Sequence, residues 1–407
     1  MLKRNIVLPD YQRSFVWDTQ DVEELVKSFK TGQFIQPVTI ARMNSIGGIN
    51  IILDGQQRLT SILLLSIGYF PKKEKFKESA LTTSDDDSAD SNSFVESKII
   101  DWTFEKLLKE DISQNSVLSI KSMVSADDKY EALSVRNPNY LMTGKKLDEF
   151  LDNNFLGFSF IVPDIADSAD EQKFFTTLFR NMNYLGKKLS PIESRKSLYY
   201  LNDIYKNYFE GKLEDGSEAL GGLKIMDNVA PGDIDFVRYL SILSQYDEKS
   251  TKARKVMVGY SSYSSREKFY VDYVSYILGI DQEERADKFN KFNYNATFGS
   301  ASGFQQRFQK LKQTIEALKG KMSLDSKYPD AFKSWIDADY WLFGLIYWIV
   351  FKGKEITLDP DWTPKLKKEI QNKRKNPNDS YVKSPNMLSH LRDRVERSID
   401  LIKKYVK

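Results

Sequence analysis

Apolar and polar positions follow two different rhythms along the chain. In the first part, short apolar runs rich in β-branched residues, Asn5-Ile6-Val7-Leu8, Pro37-Val38-Thr39-Ile40-Ala41-Arg42 and Ile49-Asn50-Ile51-Ile52-Leu53, predict three strands. Between the first two, residues 18–30 predict a helix: Asp18 can cap it, Val22, Leu25, Val26 and Phe29 recur at helical spacing, and Gly32 closes it. Residues 98–150 read as helical, interrupted at Asn137-Pro138-Asn139, and the apolar run at 155–163 predicts a strand returning to the sheet. The block at about 75–150 therefore reads as a helical insertion. Beyond it the three- and four-residue spacing of apolar positions predicts helices over 170–183, 190–209, 233–246, 264–278, 304–318, 330–351 and 385–406, without a fixed repeat period. The pattern implies an α/β (α+β) domain over 1–200 and a mainly α-helical domain over 201–407.

One junction breaks the rhythm. In IILDGQQRLTSILLL, residues 51–65, an apolar strand ends at Asp54-Gly55, three large polar side chains follow at once, and an apolar helix begins. Gln56, Gln57 and Arg58 fall where a helix presents its free N–H groups and positive dipole end, an arrangement that suits an anion in an open cleft. Gly55 allows close backbone approach, Arg58 can fork onto phosphate oxygens, and the glutamines can read a sugar or base edge. A plainer account has Asp54 capping the helix and the polar residues forming its solvated start. The spacing is not that of a G-x-x-x-x-G-K phosphate loop.

Composition narrows the classes. The 407 residues are more than one hydrophobic core usually serves, and the 41% apolar and 29% charged content is that of a folded globular protein. With no cysteine and one histidine, His390, disulfides, cysteine nucleophiles and His-rich metal centres fall away, and a reducing, cytoplasmic setting is expected. No secretion signal is read at the N-terminus. The most apolar segment, 338–351, is shorter than the roughly 20 residues a membrane span needs, so a buried helix is expected.

The net charge of +3 conceals an uneven distribution. Residues 371–407 hold ten Lys or Arg against four Asp or Glu, which leaves the rest of the chain at −3. Lys373, Arg374, Lys375, Arg392, Arg394, Arg397, Lys403 and Lys404 are candidates for contacting DNA phosphates, although solvated helix faces explain them as well. For Tyr263, Arg266, Lys268, Phe269 and Tyr270, and for the aromatics of 335–351, amphipathic or core helix is the favoured reading. The acidic stretch 81–93 reads as a surface loop rather than a metal site.

A second polar–aromatic segment, Leu8-Pro9-Asp10-Tyr11-Gln12-Arg13-Ser14-Phe15-Val16-Trp17, sets Gln and Arg among aromatics just after a strand. A third, at 178–195, runs F-x-x-x-N-x-x-G-x-x-L-S-x-x-E and reads as a helix end followed by a Ser190/Glu193 capping box. The ordered set of P-x-Y-Q-R-x-x-x-W, I-L-D-G-Q-Q-R-L-T-S and this third motif resembles the N-terminal domain of GmrSD-type modification-dependent restriction systems. That ParB/sulfiredoxin-like domain also occurs in phage-defence proteins.

The resemblance implies a nucleotide-binding and NTP-hydrolysing domain that regulates DNA cleavage. Matched residue by residue, Tyr11, Gln12, Arg13, Gly55 and Gln56 would bind a nucleoside triphosphate of unspecified base, with Asn183 at the rim. Asp54, Gln57 and Arg58 would be catalytic: Arg58 with Arg13 captures phosphate, and Asp54 orients a Mg²⁺ hydration shell or the attacking water. The HNH nuclease joined to this domain in the full enzymes needs histidines that this chain lacks, so a separate nuclease subunit is expected, with modified phage DNA as a further partner. The alternative is a non-catalytic adaptor that senses nucleotide or DNA and recruits that nuclease.

Overall fold

The computed structural model describes the chain apart from residues 9–14, 45–47, 77–101, 134–144, 166, 168–169, 172, 176, 179–190, 201, 222, 226–231, 261–262, 281–287, 290–291, 323–334, 358–361 and 380–382. Its chain forms two compact units, Met1–Glu78 with Glu96–Ser197, and Ser79–Val95 with Leu198–Lys407.

The first unit is built on a small mixed sheet. Strands β1 (Val38–Met43) and β2 (Ile49–Asp54) pair antiparallel, with an irregularity at Thr39/Ile40, and β5 (Phe158–Ile161) joins β1 in parallel. The order is β2-β1-β5, and Val7 makes a parallel bridge to Ile51 on the far side. Helix α1 (Thr19–Lys30) starts at a capping box in which Asp18 accepts from the Asp21 amide and Asp21 accepts from the Asp18 amide. Two orphan donors are thereby satisfied at the point marked by the sequence. Val22 and Val26 of α1, Val38, Ile40 and Ile52 of the sheet, and Leu64 and Leu65 of α2 (Gln56–Ile67) share one core.

The described residues of 102–153 are less helical than their periodicity implies. They hold two 3₁₀ turns, the helices Val117–Ser125 and Lys145–Asn153, and β4 (Tyr130–Ala132), which pairs with β3 (Tyr69–Pro71). Trp102, Phe104, Leu107, Ile120, Val124 and Phe150 enter the same core as the sheet. Phe15 links the parts: it is 2% exposed and meets Phe70 and Trp102 edge-on at 5.8 and 5.7 Å. Pairs of this geometry add to the area buried.

The second unit is helical around a core dense in aromatics. Helices Phe236–Ser244, Tyr263–Ile277, Phe304–Met322, Trp335–Ile346 and Leu388–Lys403 fall where apolar spacing predicts them. The helix expected over 190–209 is two, Pro191–Tyr199 and Asp203–Glu210, because Asn202 caps the second by accepting from the Ile204 and Tyr205 amides. Trp335–Ile346 continues into a π-turn, Tyr347–Phe351, whose Val350 and Phe351 carbonyls accept from Arg307 Nη1. Helix Trp362–Lys375 was not anticipated.

An ionic cluster ties these helices together. Asp339, fully buried, accepts from both Arg238 terminal nitrogens at 2.6 and 2.9 Å, from Tyr239 Oη at 3.0 Å and from Arg394 Nε at 3.2 Å. Both guanidiniums lie against the Trp335 ring. Among the described residues no helix is long and apolar enough to cross a membrane, and residues 338–350 are buried.

Candidate functional site at the β2–α2 junction

The polar interruption lies at the end of β2. Asp54 is its last residue, Gly55 turns the chain with φ 89°, and α2 begins at Gln56. Only glycine fits: a Cβ there would stand 2.9 Å from Val38 Cγ2, 3.0 Å from Val38 Cα and 2.9 Å from Arg58 Nη2. No side chain caps α2, so Asp54 is not the helix cap that the plainer account required. Asp54 Oδ2 instead accepts from Arg58 Nη2 at 2.8 Å, one helical turn on. The Asp54 side chain is 41% exposed and that of Arg58 15%.

The two glutamines neither face an open cleft nor form a solvated start. Gln56 and Gln57 are 7% and 5% exposed. Gln57 Oε1 accepts from the Val16 amide at 2.9 Å and the Trp17 amide at 3.3 Å. The reason is that Phe15, immediately before, is drawn into the core, where its amide also donates to the Trp102 carbonyl at 2.8 Å. Burying two peptide N–H groups demands an acceptor, and Gln57 provides it. The segment carrying the first motif is therefore pinned at residues 15–17 to the start of α2. Tyr11, Gln12, Arg13 and Asn183 themselves lie outside the described residues, as does the Ser190 cap.

Further polar atoms on the first turns of α2 are buried without a hydrogen-bond partner: Arg58 Nε, Thr60 Oγ1 and Ser61 Oγ. Thr60 and Ser61 were read in the sequence only as part of the helix. Their hydroxyls face packed protein because α2 is apolar on both sides of that stripe. Among the described residues no three His, Asp or Glu side chains gather where a metal could be held, so Asp54 is the carboxylate the junction itself offers. A separate cavity of about 310 Å³ in the second unit is lined by Lys310, Gln313, Thr314, Ile349, Lys354, Glu355 and Ile356. It contains none of the motif residues, and Lys310 is already paired with Glu355 at 3.0 Å.

The basic tail is largely used internally. Arg374 pairs with buried Asp337, Lys373 with Asp379 at 3.7 Å, Arg397 with Asp393 at 2.9 Å and Lys403 with Glu248 at 2.9 Å. Arg392 donates to the Val256 carbonyl and Arg394 holds Asp339. Arg266 is 3% exposed and donates to the Asn386 carbonyl, while Phe269 and Tyr270 are core. Of these, Arg397 and Lys403 remain 51% and 56% exposed. His390 Nδ1 lies 2.9 Å from the Ser384 carbonyl on the surface.

Comparison with known proteins agrees with the motif order. Residues 1–200 match the family described as the GmrSD restriction endonuclease N-terminal domain. Residues 1–200 belong to that family of domains. An uncharacterized protein of Methanocaldococcus jannaschii is 27% identical over 263 residues, covering 51% of this chain and 42% of the relative. The chain thus spans less than half the length of that relative. No solved structure matches significantly.

Proposed function

We propose that residues 1–200 bind a nucleoside triphosphate at the β2–α2 junction and hydrolyse it, acting as the regulatory module of a restriction system directed at modified DNA. One observation carries the reading: a guanidinium at the first turn of a helix without a side-chain cap, held by the partly exposed Asp54 carboxylate at 2.8 Å and more loosely by the Pro37 carbonyl at 3.5 Å. Membership of residues 1–200 in the GmrSD N-terminal domain family supports it.

In this reading phosphate oxygens displace Asp54 from Arg58 and take both the fork of the guanidinium and the amide dipoles of α2. Gly55 leaves the backbone bare at that approach. Asp54, released, orients the attacking water or holds the hydration shell of a Mg²⁺ carried in with the phosphates; one carboxylate suffices, since Mg²⁺ is commonly held by one or two together with the phosphates. Such an ion, when bound, would neutralise charge on the phosphates. Gln57 acts by position, holding the Val16–Trp17 backbone so that the Tyr11–Arg13 motif meets the junction. Asn183, outside the described residues, would close the rim as the family motif implies, while Gln56 is buried and takes no part in it.

A second reading, a nucleotide- or DNA-sensing adaptor that recruits a separate nuclease, is favoured by the lack of a carboxylate cluster among the described residues. DNA and a nuclease subunit are partners in both. Calorimetric titration of the full chain and of Arg58→Ala with each common NTP tests the binding they share. Binding to the native chain that the variant loses supports the site, and equal heats from both proteins contradict it.

A further inference from the structure

Among the described residues of its unit, strand β5 is an edge of the sheet with an exposed outer side. Phe155, Phe158, Phe160 and Val162 are 86%, 43%, 61% and 63% exposed. Phe34, three residues ahead of the Pro37 that lies against Gly157, is 88% exposed. In the parallel ladder Phe158 and Phe160 stand level with Val38 and Ile40, which are fully buried. Partners in a ladder share a face, so the two phenylalanines continue the core face outward beyond its covering helices. The backbone is open as well. The Val38 amide donates to the Gly157 carbonyl at 2.9 Å, so alternation along the strand turns the N–H and C=O groups of Phe158 and Phe160 away from β1.

Soluble proteins guard such edges with charge, proline or a covering element. Here no charged residue stands between Asp152 and Asp164. We propose that this edge is an interface between two copies of the chain, joined through β5 in an antiparallel pair about a twofold axis at Ser159.

The register follows from the free groups. Residues whose amide and carbonyl face outward can form the hydrogen-bonded positions of an antiparallel pair, so Phe158 of one copy sits opposite Phe160 of the other, and the reverse. Two cross-strand aromatic pairs result, a favourable arrangement on a sheet face. Size also fits. At roughly 200 Å² for a fully exposed phenylalanine, the five apolar side chains offer about 600 Å² per copy, and about 1,200 Å² for two copies reaches the lower bound of stable protein interfaces. The pairing is independent of what the β2–α2 junction binds.

The test is the mass of the full chain in solution by sedimentation velocity over a wide concentration range, repeated with Phe160→Lys. The pairing gives twice 47.2 kDa for the native chain and the single-chain mass for the variant, which keeps the native circular dichroism spectrum because position 160 is exposed within one copy. A single Ser159→Cys, in a chain otherwise free of cysteine, reads the register directly. Opposed residues at the non-hydrogen-bonded position have Cα atoms about 4.5 Å apart, within disulfide reach, so air oxidation yields a covalently linked pair. A native chain of single mass, a double mass that survives Phe160→Lys, or a Ser159→Cys protein that does not cross-link overturns the proposal.

Discussion

Gln57 Oε1 accepts a hydrogen bond from the Val16 amide at 2.9 Å, bringing together two motifs that are 41 positions apart. Removing the acceptor leaves the Val16 and Trp17 amides unsatisfied, at a cost of about 1–3 kcal/mol. Gln57→Leu is therefore expected to lower unfolding stability by that amount in urea titration and to weaken nucleotide binding with it. Gln57→Glu, which keeps an oxygen in place, is expected to lose less stability.

Gly55 and Gly68 bracket α2 and both have positive φ, 89° and 82°. Around Gly68 nothing lies within 4 Å of an added Cβ, whereas at Gly55 that atom meets Val38 and Arg58. Left-handed backbone strain alone amounts to about 1–3 kcal/mol for a non-glycine residue. Gly55→Ala is expected to be the more destabilising of the two in chemical denaturation, and only Gly55→Ala should abolish binding at the junction.

Asp339 neutralises two buried guanidiniums, so Asp339→Asn leaves Arg238 and Arg394 without a charge partner. Breaking a buried pair from one side typically costs about 3–5 kcal/mol. Glu355→Gln breaks the exposed pair with Lys310 and is expected to change stability by less than about 1 kcal/mol. Parallel denaturation curves of the two variants check the contrast.

Helix α1 and the return of β5 were legible in the sequence because local signals agreed with the tertiary outcome: Asp18 with Asp21 formed the cap, and the apolar run at 155–163 met the sheet. The junction itself was equally clear, since Asp-Gly between a β-branched run and a Leu-rich run leaves few alternatives. The burial of Gln56 and Gln57 was not. Their polarity reads as solvent-facing, and the groups that need Gln57 belong to a segment buried by Phe15 rather than by anything near residue 57. Helix Trp362–Lys375 was hidden because Leu366 and Ile370, the buried large apolar residues among its described side chains, stand among lysines. The arginines of the C-terminal helix read as a charge surface because their acceptors, Asp339 and the Val256 carbonyl, lie far away in sequence.

Arg58 is mostly buried, with a side chain 15% exposed, so Arg58→Ala loses packing as well as its pair with Asp54. Its circular dichroism spectrum and unfolding midpoint, taken first, establish it as a folded reference for activity. The most direct measurement is phosphate release by the purified full chain with NTP and Mg²⁺, compared with Arg58→Ala under the same conditions. Turnover by the native chain that the variant lacks is the expected result. Release from the native chain no greater than from the variant would contradict hydrolysis at this junction.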